Sequence, residues 1–411
     1  MYAPMMTMMT EARVKCSRSL FKLVTMWPFY GATVCFHVVE MVDFAYLFHV
    51  SLQQNDEVWS QFFVAAMCYY MAGIVTAGLG LRVFPPRATV ILGCTLPHLL
   101  IIPMTFSNLQ HWYIPLFAAS GMLRVDTFAT LQMAESHPPE TRLLRIFHGK
   151  VLQYLALLTS SVLVFLMWIY PSVSMHIVGS VHVATLLFGI GVGIFSSPEA
   201  YPAPQWTPVT DLDQVPPLVQ ETLRMEMNVT CDFYALSTHA LVVFTEHHSQ
   251  YVTISTAAFS LVCLVLVSCS YLFLHHHTVN KAYLVYCIAL FCATVASMVA
   301  WIVDAHPWTH VVINLVVVIW FAMVHIAPWK VLSEIDAQHN YVPLMIQYRL
   351  LGQCRGMLLG IVPYQLFGGV GVYACLLPLN FRMIASYEEA HKSATSPSAQ
   401  KPDTDEVVYE I

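Results

Sequence analysis

In the run CFHVVEMVDF, residues 35 to 44, Glu40 and Asp43 stand three apart inside an otherwise apolar stretch, with His37 one turn earlier. On a helix, residues three apart share a face, so these side chains form one titratable stripe. Arg124 and Asp126, in GMLRVDTFAT, are two apart and fall on opposite flanks of their helix, where they cannot readily neutralise each other. Arg124 is therefore expected to seek the carboxylates of Glu40 and Asp43. A carboxylate in such surroundings can bind and release a proton, because desolvation favours its neutral form and a nearby arginine favours its charged form. Proton coupling is the chemistry expected of Glu40, Asp43, Arg124 and Asp126. A packing role stands beside it, since a buried Glu–Arg pair can simply fix two helices together.

The elements that must hold these groups follow from composition. Of 411 residues, 57% are hydrophobic and only 10% charged, with a mean hydropathy of +0.63. Soluble domains carry roughly 25% charged residues, so this chain lacks the charge to cover a solvated surface. The apolar residues come in blocks of about twenty, the length that crosses a bilayer as a helix. The class is an all-α membrane protein, with the lipid bilayer as its first partner. A charge at the bilayer centre costs roughly 2.5–3.5 kcal/mol, so the ionisable groups must face protein or a wet cavity. The net charge of −6 is mild and argues against nucleic acid. The eleven cysteines lie nearly all within apolar blocks and read as small buried hydrophobes rather than a disulfide framework. The opening MYAPMMTMMTEARVKCSRSLFK is polar to basic, unlike a cleavable signal, so the first helix is expected to be its own insertion signal.

Hydropathy predicts helices near 25–50, 57–80, 88–106, 112–134, 146–170 and 174–195, then a polar, proline-rich stretch, then helices near 229–247, 252–274, 282–303, 308–329, 343–365 and 367–385. The expected organisation is a cytoplasmic tail (1–22), a six-helix bundle (23–195), a cytoplasmic linker (196–228), a second six-helix bundle (229–386) and a disordered cytoplasmic tail (387–411). Lys and Arg fall before helix one, between helices two and three and between four and five, in the linker, after helices eight and ten, and in the C-terminal tail. The other connections, such as SLQQNDE, YPSVS and EHHSQ, have neither, which places both termini in the cytoplasm. Arg349 and Arg355 resist this scheme, because they fall within predicted helix eleven. The competing reading makes 341–355 an interfacial segment and leaves eleven helices. The sequon at Asn228 lies on the cytoplasmic side and is expected to stay unglycosylated.

The polar residues have an order. In the first half, charges inside the apolar spans fall on helices one and four. In the second half, Ser237, Thr238, His239, Thr245 and Glu246 gather on helix seven, and His310, Asn314 and His325 on helix ten. A period of three helices is the pattern of two repeat halves lining a central path. His37, His239, Glu246, Gln250 and Asn314 are the residues expected to contact a solute there.

The chain resembles the major facilitator superfamily, and within it the sucrose-transporter and melanosomal-transporter branch, related to the glycoside–pentoside–hexuronide cation symporters. Helix one, VCFHVVEMVDFAYLF, is similar to that branch's first helix, in which aromatic residues surround a Glu or Gln at the place of Glu40. Helix seven ends LVVFTEHHSQYV, which resembles the family's Phe-Thr-Asp, two residues, Gly-Gln; Glu246 stands for the aspartate, Gln250 for the glutamine, and Ser249 replaces glycine. The segments IAPWKVLSEIDA and LGQCRGMLLG are similar to the family's helix ten boundary and helix eleven. The loop GLGLRVFPPRATV keeps Arg82 and Arg87 but lacks the aspartate of the superfamily signature. The resemblance implies a bundle of about twelve helices in two six-helix halves and proton-coupled symport of a sugar-like solute, with no cofactor and no enzymatic activity.

Two other functions compete: a transport-inactive scaffold or sensor of the same fold, and a metal or haem carrier, suggested by 19 histidines and 21 methionines. His275, His276 and His277 cannot all converge on one metal from a single helix end, and no metal site is expected. The segment VPPLVQETLRMEMN reads as a short amphipathic helix on the inner leaflet. The C-terminal VVYEI is a hydrophobic end that an adaptor domain could add as a strand. The expected home is a plasma or endolysosomal-type membrane.

Overall fold

The computed structural model describes residues 26–47, 64–75, 86–105, 112–121, 139–196, 207–208, 215–247, 265, 279–324, 328 and 339–395. Among these the regular structure is helical, apart from a two-residue parallel bridge between β1 (Thr207–Pro208) and β2 (His339–Asn340). The helices are α1 (26–47), α2 (Val64–Val75), α3 (Pro86–Thr105), α4 (Tyr113–Ser120), α5 (Pro139–Ile169), α6 (Ser174–Phe195), α7 (Pro217–His247), α8 (Val279–Ile302), α9 (Pro307–Val324) and α10 (Val342–Thr395). Helix α8 stands where the ninth helix was expected and α9 where the tenth was. The expected eighth lies almost wholly outside the described residues.

Among the described residues, five segments are long and apolar enough to cross a membrane: Arg87–Thr105, Leu144–Met167, Pro171–Phe195, Leu284–Ile302 and Leu344–Ala385. Burial is inverted relative to a water-soluble domain. Leu99, Phe165, Leu187, Ile194 and Phe381 are exposed, while Asp43, His98, His182, Glu226 and Asp232 are buried. An exterior this apolar is stable only against lipid, and interior charges are stable only among partners. The molecule is an α-helical membrane protein.

Close backbone approach fixes the packing that matters. Helix α6 runs antiparallel to α3, and a Cβ at Gly189 would lie only 2.8 Å from the Cys94 and Thr95 side chains. That contact brings His182, two turns earlier on α6, level with His98, one turn later on α3. Helices α7 and α10 pack along a second seam, in which Gly352, Gly356 and Gly360 lie directly against Met227, Cys231 and Ala235. The i, i+4 spacing of small residues lets the two backbones meet, a standard device where lipid supplies no hydrophobic drive between helices. Phe147 and Tyr154 of α5 join one hydrophobic cluster with Phe233 of α7, Tyr286 of α8 and Tyr373 of α10. Tyr70 of α2 meets Tyr234 of α7 edge to face at 6.3 Å.

Two expected boundaries change. The linker was expected to run to 228, but α7 begins at Pro217 and continues unbroken through that point. Val215, Val219 and Leu223, spaced one turn apart, are buried with Tyr341 and Met345, so this segment packs on protein rather than lying on a leaflet. Thr230 of the sequon is correspondingly buried inside α7. The expected disordered tail begins at 387, yet helix continues to Thr395 through a run of good helix formers. The two helices expected near 343–365 and 367–385 meet at Gly368 within 342–395, where φ of 66° and ψ of −164° break the helical path. Arg349 and Arg355 lie within the first of these helices.

Candidate functional site

Asp43 of α1 finds a partner on another helix, and that partner is a histidine. Asp43, His98 and His182 are 1%, 6% and 1% exposed, on α1, α3 and α6. The Asp43 Oδ1 lies 3.0 Å from His182 Nε2, and His182 Nδ1 lies 2.7 Å from His98 Nδ1. Both are normal hydrogen-bond distances, so the three groups form one continuous chain through the bundle.

Local sequence explains why His98 is available. Pro97 has no N–H, so the carbonyl of Gly93, one turn earlier, loses its helical donor. The His98 ring reaches that carbonyl as well as His182. On α6, Thr185 follows His182 by one turn and hydrogen-bonds the Cys35 thiol of α1. The α1–α6 contact is thus polar at two successive turns.

A small cavity of about 30 Å³ adjoins the chain, bordered by Glu40, Asp43, Tyr69, His98, Ser120 and His182 among others. A water needs roughly 10–15 Å³ on this measure, so the space suits about two. Below it, Phe44, Tyr69 and Phe117 form an aromatic floor; Tyr69 and Phe117 stack at 4.8 Å, and Phe44 meets Phe117 edge-on at 5.1 Å. Titratable side chains border one part of the cavity and aromatic rings another.

The expected site residues divide as follows. Glu40 and Asp43 both border the cavity. His37 does not; it is buried and sits 3.4 Å from Glu40, its neighbour one turn along. Arg124, Asp126 and Gln250 lie outside the described residues, as do His275 to His277. His239, Glu246 and Asn314 sit on α7 and α9, with only the backbone described. His98 and His182 are not among the expected site residues, because helices three and six carry no formal charge in their spans. The available signal is a histidine directly after a proline in α3, and two histidines, His176 and His182, in the otherwise apolar α6.

A second polar group joins α5, α7 and α10. Arg349 Nε lies 4.0 Å from Glu226 Oε1, and the two side chains are 16% and 1% exposed. Lys150 of α5, also buried, lies within electrostatic reach of Glu226. Glu226 precedes the apolar part of α7; burial pushes its carboxyl pKa up, while Arg349 and Lys150 act to lower it. One helical turn and a half further on, buried Asp232 faces Arg355 across the glycine seam. Gln353 donates to the Tyr234 hydroxyl at 2.7 Å. The arginines that looked misplaced in the sequence are thus matched by two acids of α7.

Among the described residues, no group of three or more His, Cys, Asp or Glu side chains is arranged to hold a metal ion. The cysteines described there are all free thiols. No protein-family model matches the chain, and no curated protein matches it, so the chemistry of Asp43, His98 and His182 rests on their own geometry.

Proposed function

We propose that the chain is a secondary active transporter that moves a small polar solute, sugar-like on the sequence resemblance, together with protons. The observation that carries this reading is the cavity bordered by Glu40, Asp43, His98 and His182 inside an apolar helical bundle. Burying that many titratable groups in a membrane span is costly, and a hydrated ion path is the usual reason for it. In this reading the protein is a major facilitator-type bundle of about twelve helices in two halves, which rock about a central path. Glu40 and Asp43 bind the proton, and Arg124 and Asp126 share in its coupling. His239, Glu246, Gln250 and Asn314 contact solute, while His37 supports Glu40 instead. Both termini face the cytoplasm, in a plasma or endolysosomal-type membrane.

The test is uptake into proteoliposomes under an imposed pH gradient, with a panel of sugars and other small polar solutes. The expected result is accumulation driven by the gradient, lost in Asp43→Asn while exchange without a gradient persists. If no solute moves under either polarity of the gradient, the transporter reading fails and a scaffold or sensor role replaces it.

A further inference from the structure

We propose that Asp43, His182 and His98 form a two-state proton relay, in which one proton enters at His98 Nε2 and comes to rest on Asp43 Oδ1, reversing every hydrogen bond in the chain without breaking any. The inference rests on the transporter reading for its purpose, proton coupling, but its chemistry stands on the geometry alone.

A neutral imidazole has one donor nitrogen and one acceptor nitrogen. When Asp43 is ionised its Oδ1 can only accept, so the 3.0 Å contact puts the hydrogen on His182 Nε2. His182 Nδ1 is then an acceptor, and the 2.7 Å contact puts a hydrogen on His98 Nδ1. His98 Nε2 is left bare. When Asp43 carries a proton on Oδ1, each assignment inverts: Oδ1–H donates to His182 Nε2, His182 Nδ1–H donates to His98 Nδ1, and His98 carries its hydrogen on Nε2.

The two states differ by one proton. An N–H bond forms at His98 Nε2 while the His98 Nδ1–H bond breaks and its proton joins His182 Nδ1. The His182 Nε2–H bond breaks in turn and its proton joins Asp43 Oδ1. Three bonds to hydrogen form and two break, and the charge of the chain goes from −1 to zero. Both end states satisfy the two contacts of the chain, Asp43 to His182 and His182 to His98. The Gly93 carbonyl beside His98 can only accept, so it favours whichever of the two states turns an N–H toward it.

Other titratable groups lie close by. Helix α1 contributes Glu40, paired with His37, and Cys35; α2 contributes Tyr69; α3 contributes Cys94. Of these, Glu40 is the second carboxylate on the cavity. A static clasp among the same three side chains is the competing role, and it requires only one of the two tautomer patterns.

The experiment uses the full chain in lipid nanodiscs, with histidine ring nitrogens labelled with nitrogen-15 and the signals assigned by His98→Gln and His182→Gln. As pH falls, His182 is expected to pass from the Nε2–H to the Nδ1–H tautomer and His98 the opposite way, at one shared midpoint. Infrared difference spectra should show one carboxylic acid appearing at that midpoint. Asp43→Asn should abolish the acid band and hold both rings in one tautomer. Glutamine at 98 offers the same bonds but no ring to pass a proton, so His98→Gln should slow proton uptake after a pH jump about tenfold or more. Rings that titrate separately to imidazolium, tautomers that never change, or an unaltered uptake rate in His98→Gln would each overturn the relay. None of these readouts needs a solute. A relay that switches in a protein that transports nothing defeats the transporter reading alone, and gradient-driven uptake with both rings fixed defeats the relay alone.

Discussion

Alanine substitutions along the glycine seam of α10 should destabilise the protein in an order set by distance. A Cβ at Gly352 would lie 2.5 Å from the Met227 carbonyl oxygen and 3.1 Å from Thr230 Cβ, against 3.4 Å for the near edge of ordinary contact. The helices must therefore part by about 1 Å, and the obstacle is backbone, which cannot rotate aside. Overpacking of this kind costs roughly 1–3 kcal/mol. Removing a helical glycine returns roughly 0.5–1 kcal/mol, which leaves a net loss of about 1–2 kcal/mol at Gly352. Gly356, whose added carbon would lie closer still to the Cys231 carbonyl, should lose more. Gly360, at 2.9 Å from the Ala235 carbonyl, should lose less than either. Gly191 of α6 has nothing within 4 Å and should gain stability on the same substitution. The assay is reversible unfolding of the purified protein in mixed micelles, read by the change in midpoint. Equal midpoints for Gly356→Ala and Gly191→Ala would refute the close approach of α7 and α10.

Gly368→Ala meets no neighbour within 4 Å, so its cost should be conformational only. Its backbone lies in a region essentially reserved for glycine, which predicts a loss of about 1–3 kcal/mol in the same unfolding assay; an unchanged midpoint would mean that the kink is absent. Glu226→Gln leaves Arg349 and Lys150 buried without their shared anion, and breaking such a pair costs roughly 3–5 kcal/mol. Because Arg349 retains 16% exposure, the lower end is expected, and adding Arg349→Met should restore much of the loss. A double variant no more stable than the single one would argue against the pairing.

Some of this was legible in the sequence. Blocks of apolar residues identify the medium, and an acid at 40 or 43 in such a block signals an interior position. The partner was not legible, because a histidine contributes nothing to a count of formal charges and His182 lies 139 residues from Asp43. Arg349 and Arg355 stood out as misfits for the same reason that Glu226 and Asp232 did not: the acids sit near a polar stretch that reads as linker. That stretch contains Val219 and Leu223 at helical spacing, but their burial depends on Tyr341 and Met345, which follow much later in the chain. The glycines of LGQCRGMLLG are visible in the sequence as an i, i+4 pattern, and become informative only when a facing helix is known.

The pairing of α7 with α10 has a consequence for biosynthesis. A ribosome completes α7 well before it reaches Val342, and in that interval Glu226 and Asp232 have neither arginine nor glycine face to meet. Helix α7 must wait in the translocation machinery or at the lipid boundary as an unstable insertion intermediate. Chains cut short ahead of α10 should accordingly be prime targets for membrane quality control, whatever the state of the helices before them.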